Sequence, residues 1–334
     1  MKFLVIRFSS IGDIVLTTAA IRCLKLQVPN AEVHFLSKQA FKEVTEANPY
    51  IDKFFYLKNN LESLITELKQ ENYDYIIDLH KNFRTLKIRL ALCCKHVAYK
   101  KETFAKFLLT KFGINTMSGR HITDRCLDTL IPFGVVNDGK GLDYFIPKKD
   151  FVPLTDLPAQ HRFGFIAIVI GASYFTKKLP IQKLEQLCIN IKYPIVLIGG
   201  REDAEIGNQV ASVDAIKIYN ACGKFSLNES ADLIRQSKLV ISHDTGFQYI
   251  ACAFNKKVLA IWGGTSPKLD VEPYYGIHNS MPPKIMYHNY IVPDLSCQPC
   301  SNYGTTTCPK KHFKCMMLQD VEAIATKALS MVLI

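Results

Sequence analysis

Residues 238–267 read Lys-Leu-Val-Ile-Ser-His-Asp-Thr-Gly-Phe-Gln-Tyr-Ile-Ala-Cys-Ala-Phe-Asn-Lys-Lys-Val-Leu-Ala-Ile-Trp-Gly-Gly-Thr-Ser-Pro. The apolar runs 239–241 and 258–262 predict two buried parallel strands, and the segment 246–254 predicts a helix that joins them. This connection brings the loops that follow the strands to the carboxyl edge of one sheet, where open α/β folds bind ligands. The stretch therefore predicts an α/β fold, and the unpaired N–H groups at the helix start predict an anionic ligand.

The same alternation of strands and helices continues on both sides of this stretch. Strands are predicted at 2–7, 32–36, 53–57, 75–78, 97–99, 164–170, 195–198 and 216–218. Helical spacing lies between most of them and predicts helices at 14–26 and 122–133, among others. After residue 267 the pattern breaks into a loop that leads to a cysteine cluster. The segment 147–158 is rich in Pro, Lys and Asp, which is linker composition. We predict Rossmann-like domains at 1–152 and 160–316 that face each other across a cleft, and a helix within 317–334 that packs back toward the first domain.

Composition limits the classes of partner and compartment. The 334 residues carry a formal net charge of +11, which favours nucleic acid, a phosphorylated glycolipid or an anionic membrane face. The eleven cysteines are scattered in a way unlike a secreted disulfide framework, and no apolar run reaches the length of a membrane span. We expect a cytoplasmic protein that touches the membrane surface.

The first candidate site is the turn Ser9-Ser10-Ile11-Gly12-Asp13, which follows the first predicted strand. Asp13 opens a helix there, and its carboxylate could accept a proton from an attacking hydroxyl group. The alternative is an ordinary first-turn aspartate that caps the helix. Ser10 and Gly12 are candidates for contact with an acceptor. A dinucleotide site is disfavoured, because this turn lacks the Gly-x-Gly-x-x-Gly pattern.

The second candidate site is the loop 171–180, between a buried strand and a helix. Gly171 and Ser173 let backbone and hydroxyl groups approach a phosphate, and Lys177 or Lys178 could neutralise a leaving diphosphate. The spacing is not that of a Walker A loop. A solvated lysine pair is the alternative.

The third candidate site joins the two turns of residues 238–267. It consists of Asp244, Thr245 and Gly246 together with Thr265, and we expect these residues to bind an anionic ligand. His243 is better explained as an ordinary loop histidine.

Four cysteines form the fourth candidate site: Cys297, Cys300, Cys308 and Cys315. A Cys-x-x-Cys pair with two further thiols could close a tetrahedral zinc site. The later spacing matches neither a paired zinc ribbon nor a ferredoxin pattern. Reduced thiols that pack a loop are the alternative to a structural zinc.

A basic region extends from His80 to Arg125, with eleven Lys and Arg side chains against Glu102 and Asp124 alone. Such a run is usually a solvated helix face. Lys81 and Arg84 nevertheless follow a strand end, so we assign them, with Arg120, to a phosphorylated acceptor. Nucleic acid is disfavoured, because aromatic residues are not interleaved with the basic ones as stacking platforms.

Together these motifs resemble the ADP-heptose:lipopolysaccharide heptosyltransferase family, glycosyltransferase family 9, which has the GT-B fold. The resemblance rests on residues 8–13, 171–180, 242–246, 261–267 and the cysteine pattern 297–315. It implies metal-independent, inverting transfer of heptose or a related sugar from a nucleotide diphosphate donor to a phosphorylated lipid-linked glycan, with no cofactor needed for catalysis.

The resemblance also implies a role for individual residues. Asp13 is then the general base, and Lys177 holds the donor phosphates. Asp244, Thr245 and Gly246 contact the sugar and the diphosphate, and Glu202 or Asp203 binds the ribose. Many relatives have His where this chain has Tyr249, and Gly264 and Ser266 vary the second turn. These departures bear on the identity of the donor sugar more than on the reaction type, because they alter contacts near the sugar. The alternatives are a GT-B enzyme with another nucleotide-sugar donor, a nucleotide-sugar epimerase, and a non-catalytic nucleotide or glycan binding module.

Overall fold

The computed structural model describes residues 1–276 and 286–333, which divide into two compact units. The first comprises Met1–Lys101, Arg120–Phe145 and Gly276. The second comprises Glu102–Gly119, Ile146–Tyr275 and residues 286–333. Each unit has its own parallel sheet and its own buried apolar core.

The first unit is built on a five-stranded parallel sheet with the order β3-β2-β1-β4-β5. Its strands are β1 Lys2–Ile6, β2 Glu32–Lys38, β3 Lys53–Leu57, β4 Tyr75–Asp78 and β5 Lys95–Ala98. Its helices are α1 Ile11–Val15, α2 Thr18–Gln27, α3 Lys42–Thr45, α4 Leu61–Lys69, α5 Phe83–Leu92 and α7 Ile122–Leu127. The core includes Leu4, Ile6, Leu36 and Ile76 from the central strands, with Leu64 and Leu68 from α4. Helices therefore cover apolar strands, as parallel sheets require.

The second unit has a six-stranded parallel sheet with the order β11-β10-β9-β6-β7-β8. Its strands are β6 Ile166–Val169, β7 Ile195–Ile198, β8 Ile218–Asn220, β9 Leu239–His243, β10 Val258–Ile261 and β11 Tyr287–Tyr290. Its helices are α6 Thr103–Phe112, α8 Ile181–Asn190, α9 Ala204–Ala211, α10 Leu227–Gln236, α11 Gly246–Ala253, α12 Lys314–Met317 and α13 Val321–Leu333. Both sheets reverse their strand order beside the first strand of the unit, which is the doubly wound arrangement.

Local sequence signals explain where several helices begin. Ser226 accepts a hydrogen bond from the N–H of Glu229, whose carboxylate accepts from the N–H of Ser226, so α10 starts with a capping box. Asn82 caps α5 by accepting from the N–H of Thr85. The linker is also held in place, because the buried carboxylate of Asp232 accepts a hydrogen bond from the N–H of Val152.

The observed elements differ from the sequence expectation at several points. β11 was expected to be loop, because Tyr-His-Asn-Tyr lacks an apolar run; it pairs with β10 at the sheet edge. The helix predicted at 14–26 is two helices, α1 and α2, and the second half of the helix predicted at 122–133 is a 3₁₀ segment, Asp128–Phe133. The segment Glu102–Gly119, expected in the first domain, groups with the second unit.

The last helix, α13, belongs to the second unit. We expected it to pack toward the first domain. Its buried residues Val321, Ile324, Ala328 and Met331 lie in the core of the second unit, where α13 packs against α8 and β9. Among the described residues, none of the helices combines the length and the apolar character needed to cross a bilayer.

Candidate functional site

The strand order of the second unit determines where a ligand would bind. β6 and β9 are neighbours, and the order reverses between them. Doubly wound sheets bind ligands at the carboxyl ends of strands beside such a reversal. The loop 170–180 follows β6, and Asp244 and Thr245 follow β9. The second and third candidate sites of the sequence analysis therefore come together at one sheet edge.

Lys177 and Asp244 form the centre of this edge. The Nζ atom of Lys177 lies 2.7 Å from Oδ2 of Asp244 and donates to the Asp244 carbonyl oxygen at 2.9 Å. The hydroxyl group of Thr265, which is fully buried, donates to the same Oδ2 at 2.8 Å. One carboxylate thus joins the loops that follow β6, β9 and β10, which fixes the position of the lysine ammonium group.

Lys178 has a different partner from its neighbour. Its Nζ lies 2.7 Å from Oδ1 of Asp203, whose Oδ2 accepts a hydrogen bond from the N–H of Gly200 at 3.1 Å. Asp203 is 2% exposed, and a Cβ atom on Gly171 would lie 2.3 Å from its Oδ2. Gly171 therefore serves the close approach of the β6 and β7 loops. Both oxygens of Asp203 have partners, whereas Glu202 is exposed, so the geometry favours Glu202 for the predicted ribose contact.

His243 acts as a structural acceptor beneath this edge. Its Nε2 accepts a hydrogen bond from the N–H of Leu179 at 3.0 Å. Burial, with Lys178 and Lys177 nearby, lowers the pKa of His243 to about 3. The imidazole is therefore neutral at physiological pH and links β9 to the lysine loop.

The remaining predicted donor residues lie at the same edge. Thr245 is the N-cap residue of α11, and Gly246 is its first residue, so their N–H groups start the helix. Ser173 is exposed in the loop after β6. Tyr249 donates its hydroxyl group to the carbonyl of Val271 at 2.6 Å.

The first unit places Asp13 at the carboxyl end of β1, beside the reversal between β1 and β4. Its Oδ1 lies 2.7 Å from Nη2 of Arg7, and its Oδ2 accepts from the N–H and the hydroxyl group of Ser10 at 3.0 and 3.1 Å. Burial opposes ionisation, but Arg7 and these Ser10 hydrogen bonds hold the pKa of Asp13 below its usual value. The side chain is 28% exposed. Asp13 is therefore both the helix-capping residue of the alternative interpretation and an ionised, reachable carboxylate.

Three cationic or titratable groups near Asp13 were not predicted from the sequence. Arg7 is buried at the end of β1 and lies 5.9 Å above the Tyr99 ring. His80 packs edge-on against Phe8, and burial, with Arg7 and Lys101, lowers its pKa to about 4. Burial and Arg7 also lower the pKa of Lys101. The sequence did contain a signal for Arg7, because an arginine stands at the end of an apolar strand directly before the Asp13 turn.

The predicted acceptor residues are less concentrated. Lys81 and Arg84 are exposed at the start of α5, and the backbone N–H of Lys81 donates to Oδ1 of Asp78 at 2.7 Å. Arg120 donates two hydrogen bonds to the carboxylate of Asp128, from Nε at 2.8 Å and from Nη2 at 2.6 Å. Gly12 is buried within α1. Ser10, in contrast, donates hydrogen bonds to Asp13 from its N–H and its hydroxyl group.

The cysteine-rich segment braces the loops of the second unit. The N–H of Cys300 donates to the carbonyl of Gly264 at 3.0 Å, and the side chain of Gln298 donates to the carbonyl of Gly263 at 2.8 Å. The N–H of Thr305 donates to the hydroxyl group of Thr176 at 2.8 Å. These bonds tie residues 298–305 to the loops after β6 and β10.

The sulfur atoms of the predicted zinc site are near one another without forming a closed site. Burial, followed by the charges of Cys300, Cys297 and Cys308, raises the pKa of Cys315 to about 12. Cys297 Sγ lies 3.9 Å from His312 Nε2. In residues 1–276 and 286–333, however, the one group of three ligand atoms within 4.8 Å of one another is Glu32, His34 and Glu71. The thiols suit zinc chemically, but they are spaced more widely than a bound ion would hold them.

The Glu32, His34 and Glu71 group lies at the opposite, amino end of the first sheet. Both ring nitrogens of His34 have partners, Tyr73 at 2.9 Å and Glu32 at 2.9 Å. Lys2 lies 3.1 Å from each of the two glutamates. The group is therefore a satisfied ion-pair cluster.

Comparison with known proteins identifies the family. The model of "Glycosyltransferase family 9 (heptosyltransferase)" matches residues 61–275, which is well over half of the chain. The chain belongs to glycosyltransferase family 9. The resemblance inferred from the motifs is thereby confirmed, as is the expectation that the protein is a glycosyltransferase.

Curated relatives extend the match beyond those residues. A lipopolysaccharide heptosyltransferase 1 from Campylobacter coli is 25% identical over 293 residues, covering 79% of this chain and 84% of that protein. A lipooligosaccharide heptosyltransferase 2 from Haemophilus influenzae is 25% identical over 303 residues, covering 80% and 85%.

Solved structures confirm the fold of this family 9 glycosyltransferase. A family 9 enzyme from Veillonella parvula has a TM-score of 0.74 at 18% identity, covering 99% of this chain and 97% of that one. The ADP-heptose heptosyltransferase II of E. coli has a TM-score of 0.72 at 16% identity, covering 100% and 99%. The predicted GT-B fold with two Rossmann-like sheets is correct.

Proposed function

We propose that this family 9 glycosyltransferase transfers heptose from ADP-heptose to the core of lipopolysaccharide or a related phosphorylated, lipid-linked glycan, with inversion at the anomeric carbon. The observation that carries the proposal is the Lys177, Asp244 and Thr265 network, at the strand reversal of a chain that belongs to the family. The named relatives transfer heptose to lipopolysaccharide or lipooligosaccharide, which supports heptose as the sugar.

In the proposed reaction the second unit holds the leaving diphosphate. The ammonium group of Lys177 supplies positive charge, and the N–H groups at the start of α11 supply hydrogen bonds. Asp244 orients the lysine and offers its carboxylate to the sugar hydroxyl groups. Charge develops on the diphosphate as the bond to the anomeric carbon breaks, so these groups stabilise the transition state.

The first unit supplies the base in this proposal. The acceptor hydroxyl oxygen forms the new bond to the anomeric carbon, its proton passes to Asp13, and ADP leaves with the electron pair of the broken bond. Arg7 keeps Asp13 ionised, so the carboxylate is ready to accept a proton at neutral pH. Lys101, Lys81 and Arg84 supply positive charge suited to a phosphorylated acceptor. No cofactor takes part in these steps.

Nucleotide binding, followed by product analysis, tests the donor. We expect ADP and ADP-heptose to raise the melting temperature more than UDP or GDP, because a ligand selective for the folded state stabilises it. Incubation with ADP-heptose and a heptose-deficient core acceptor should then yield one additional heptose per acceptor. A preference for UDP or GDP would replace the donor, an epimerised free nucleotide sugar would identify an epimerase, and nucleotide binding without any turnover would favour a binding module.

The proposal also includes a cellular location. We place the protein in the cytoplasm, acting at the anionic surface of the inner membrane, where a lipid-linked acceptor would be found. Its net charge of +11 supports this location. Fractionation of cells that produce the full chain tests it, since salt should reduce the share of the protein that sediments with membranes.

The cysteine cluster is proposed as a structural zinc site. Cys297, Cys300, Cys308 and Cys315 would be the ligands, with their sulfur atoms drawn closer together around the ion, and the ion would fix the segment that braces Gly264 and Thr176. Metal analysis of protein purified without added zinc should find one equivalent, and chelation should expose four additional titratable thiols. Folded, active protein with less than stoichiometric metal would exclude the site, and activity that survives chelation would support metal-independent chemistry.

A further inference from the structure

The helix α6 carries a row of exposed aromatic side chains. Phe104 is 73% exposed, Phe107 47% and Phe112 65%, and Ile114 just beyond the helix is 54% exposed. The spacing 104, 107, 108 and 112 places the three rings and Leu108 along one face of the helix. The rings of Phe107 and Phe112 meet edge to face at 5.8 Å. Large apolar side chains on one helical face normally point into a core, and these point into solvent.

The buried contacts of α6 do not account for its aromatic face. Leu109 is the one buried residue of α6, and its position on the helical wheel lies on a different face from the aromatic row. A ten-residue helix is too short to be stable in water without tertiary support. The aromatic face therefore has the composition of a contact surface.

The surroundings of the row are basic. Residues 100–120 contain Lys100, Lys101, Lys106, Lys111 and Arg120 against Glu102 alone. Lys111 falls within the aromatic face itself, where a long aliphatic stem can lie along the rings while the ammonium group reaches outward. The exposed phenylalanines of the described residues are also concentrated here: four of the seven lie in 83–112.

We propose that α6 is an interfacial membrane anchor, which inserts Phe104, Phe107 and Phe112 among the acyl chains of an anionic bilayer while nearby lysines bind lipid phosphates. A short helix with an aromatic face and basic flanks is the composition of segments that lie in the plane of a membrane. The positive charge around α6 favours a lipid surface over a second copy of this chain as the binding partner of the aromatic face. A second copy of this chain would bring the same basic segment against itself, whereas an anionic lipid surface complements it. The inference rests on the proposed function in one respect, that the acceptor is lipid-linked.

Vesicle partitioning with the intact protein tests the anchor. The probes are vesicles of phosphatidylcholine alone and of phosphatidylcholine with phosphatidylglycerol. We expect binding to the anionic vesicles, a loss of at least tenfold in partitioning for Phe104→Ser/Phe107→Ser/Phe112→Ser, and a smaller, salt-sensitive loss for Lys100→Gln/Lys111→Gln. Phe163→Ser is the matched control, because Phe163 is 88% exposed and lies outside α6. It should partition as the wild type does.

Two readouts keep this test separate from the proposed function. Stabilisation by ADP and transfer to a soluble, delipidated acceptor should be unchanged in the triple phenylalanine variant, which also verifies that the variant is folded. The anchor proposal would be overturned if the wild-type protein did not bind anionic vesicles, or if the triple variant bound them as well as the wild type does. Concentration-dependent dimerisation that the triple variant abolishes, without vesicle binding, would overturn it in favour of a self-interface.

Discussion

Replacing Lys177 by Ala should weaken ADP binding strongly, because this lysine is the cation fixed at the strand reversal of the second unit. Its Nζ is held at 2.7 Å from Oδ2 of Asp244 and is largely shielded from solvent, with 15% of the side chain exposed. A hydrogen bond to a charged group contributes about 1.5–3 kcal/mol, which corresponds to about 10- to 150-fold in Kd. Isothermal titration calorimetry with ADP measures this loss of affinity directly.

The neighbouring lysine provides the control. Lys178 binds Asp203 instead of Asp244, so Lys178→Ala should leave the phosphate contact in place and change the Kd for ADP by less than about threefold. It should instead lower the free energy of unfolding by about 1–3 kcal/mol, because the buried carboxylate of Asp203 loses its cation. Chemical denaturation of both variants separates the two effects.

A double-variant comparison distinguishes a phosphate contact from simple neutralisation of Asp244. If Lys177 contacts the diphosphate, Lys177→Ala should cost a similar factor whether residue 244 is Asp or Asn. If the lysine only neutralises the carboxylate, the loss should disappear in the Asp244→Asn background. An unchanged Kd in Lys177→Ala, or an equal loss in Lys178→Ala, would refute the assignment.

Four other changes give equally specific expectations. Asp13→Asn should lower kcat by about 10²- to 10⁴-fold, the usual contribution of a general base, while ADP affinity stays the same; a fully active variant would remove Asp13 as the base. Arg7→Met should raise the pKa of Asp13 and shift the acidic limb of the kcat/KM profile to higher pH, since the carboxylate loses its neighbouring positive charge, and a limb that does not move would contradict this coupling. Thr265→Val should weaken donor binding, because Asp244 loses a buried hydrogen bond, and Thr265→Ser should restore it; equal titration curves for the two variants would argue against a positioning role. His243 has a folded-state pKa of about 3 against about 6.5 when unfolded, so its stabilising effect is complete above pH 6.5 and is lost as the pH falls toward 3, at about 1.4 kcal/mol per pH unit. Unfolding measured at several pH values should show a shallower acid dependence in His243→Gln, and the same slope in both proteins would contradict the burial argument.

Much of the fold was predictable, because parallel strands covered by helices leave a strong local signal. The strands Lys53–Leu57, Tyr75–Asp78 and Ile195–Ile198 have the bounds that the sequence pattern predicted. The edge strand Tyr287–Tyr290 was missed, since its tyrosine, histidine and asparagine side chains carry no such run and its pairing with β10 depends on a distant segment. The grouping of Glu102–Gly119 with the second unit was not evident from the sequence for a similar reason, because a helix with one buried residue does not indicate which core it joins.

The sequence by itself determined the strand and helix pattern and the loops that carry the chemistry, because apolar periodicity, glycine turns and helix starts are local properties. It also brought Lys177 and Asp244 to one sheet edge, through the rule that parallel strands end together. Only the tertiary structure decided that Lys177 binds Asp244 while its neighbour Lys178 binds Asp203, and that Arg7 holds Asp13 ionised. Residues that are adjacent in the sequence can direct their side chains to different sides. Their partners therefore depend on strand order and on loops that come together from distant parts of the chain.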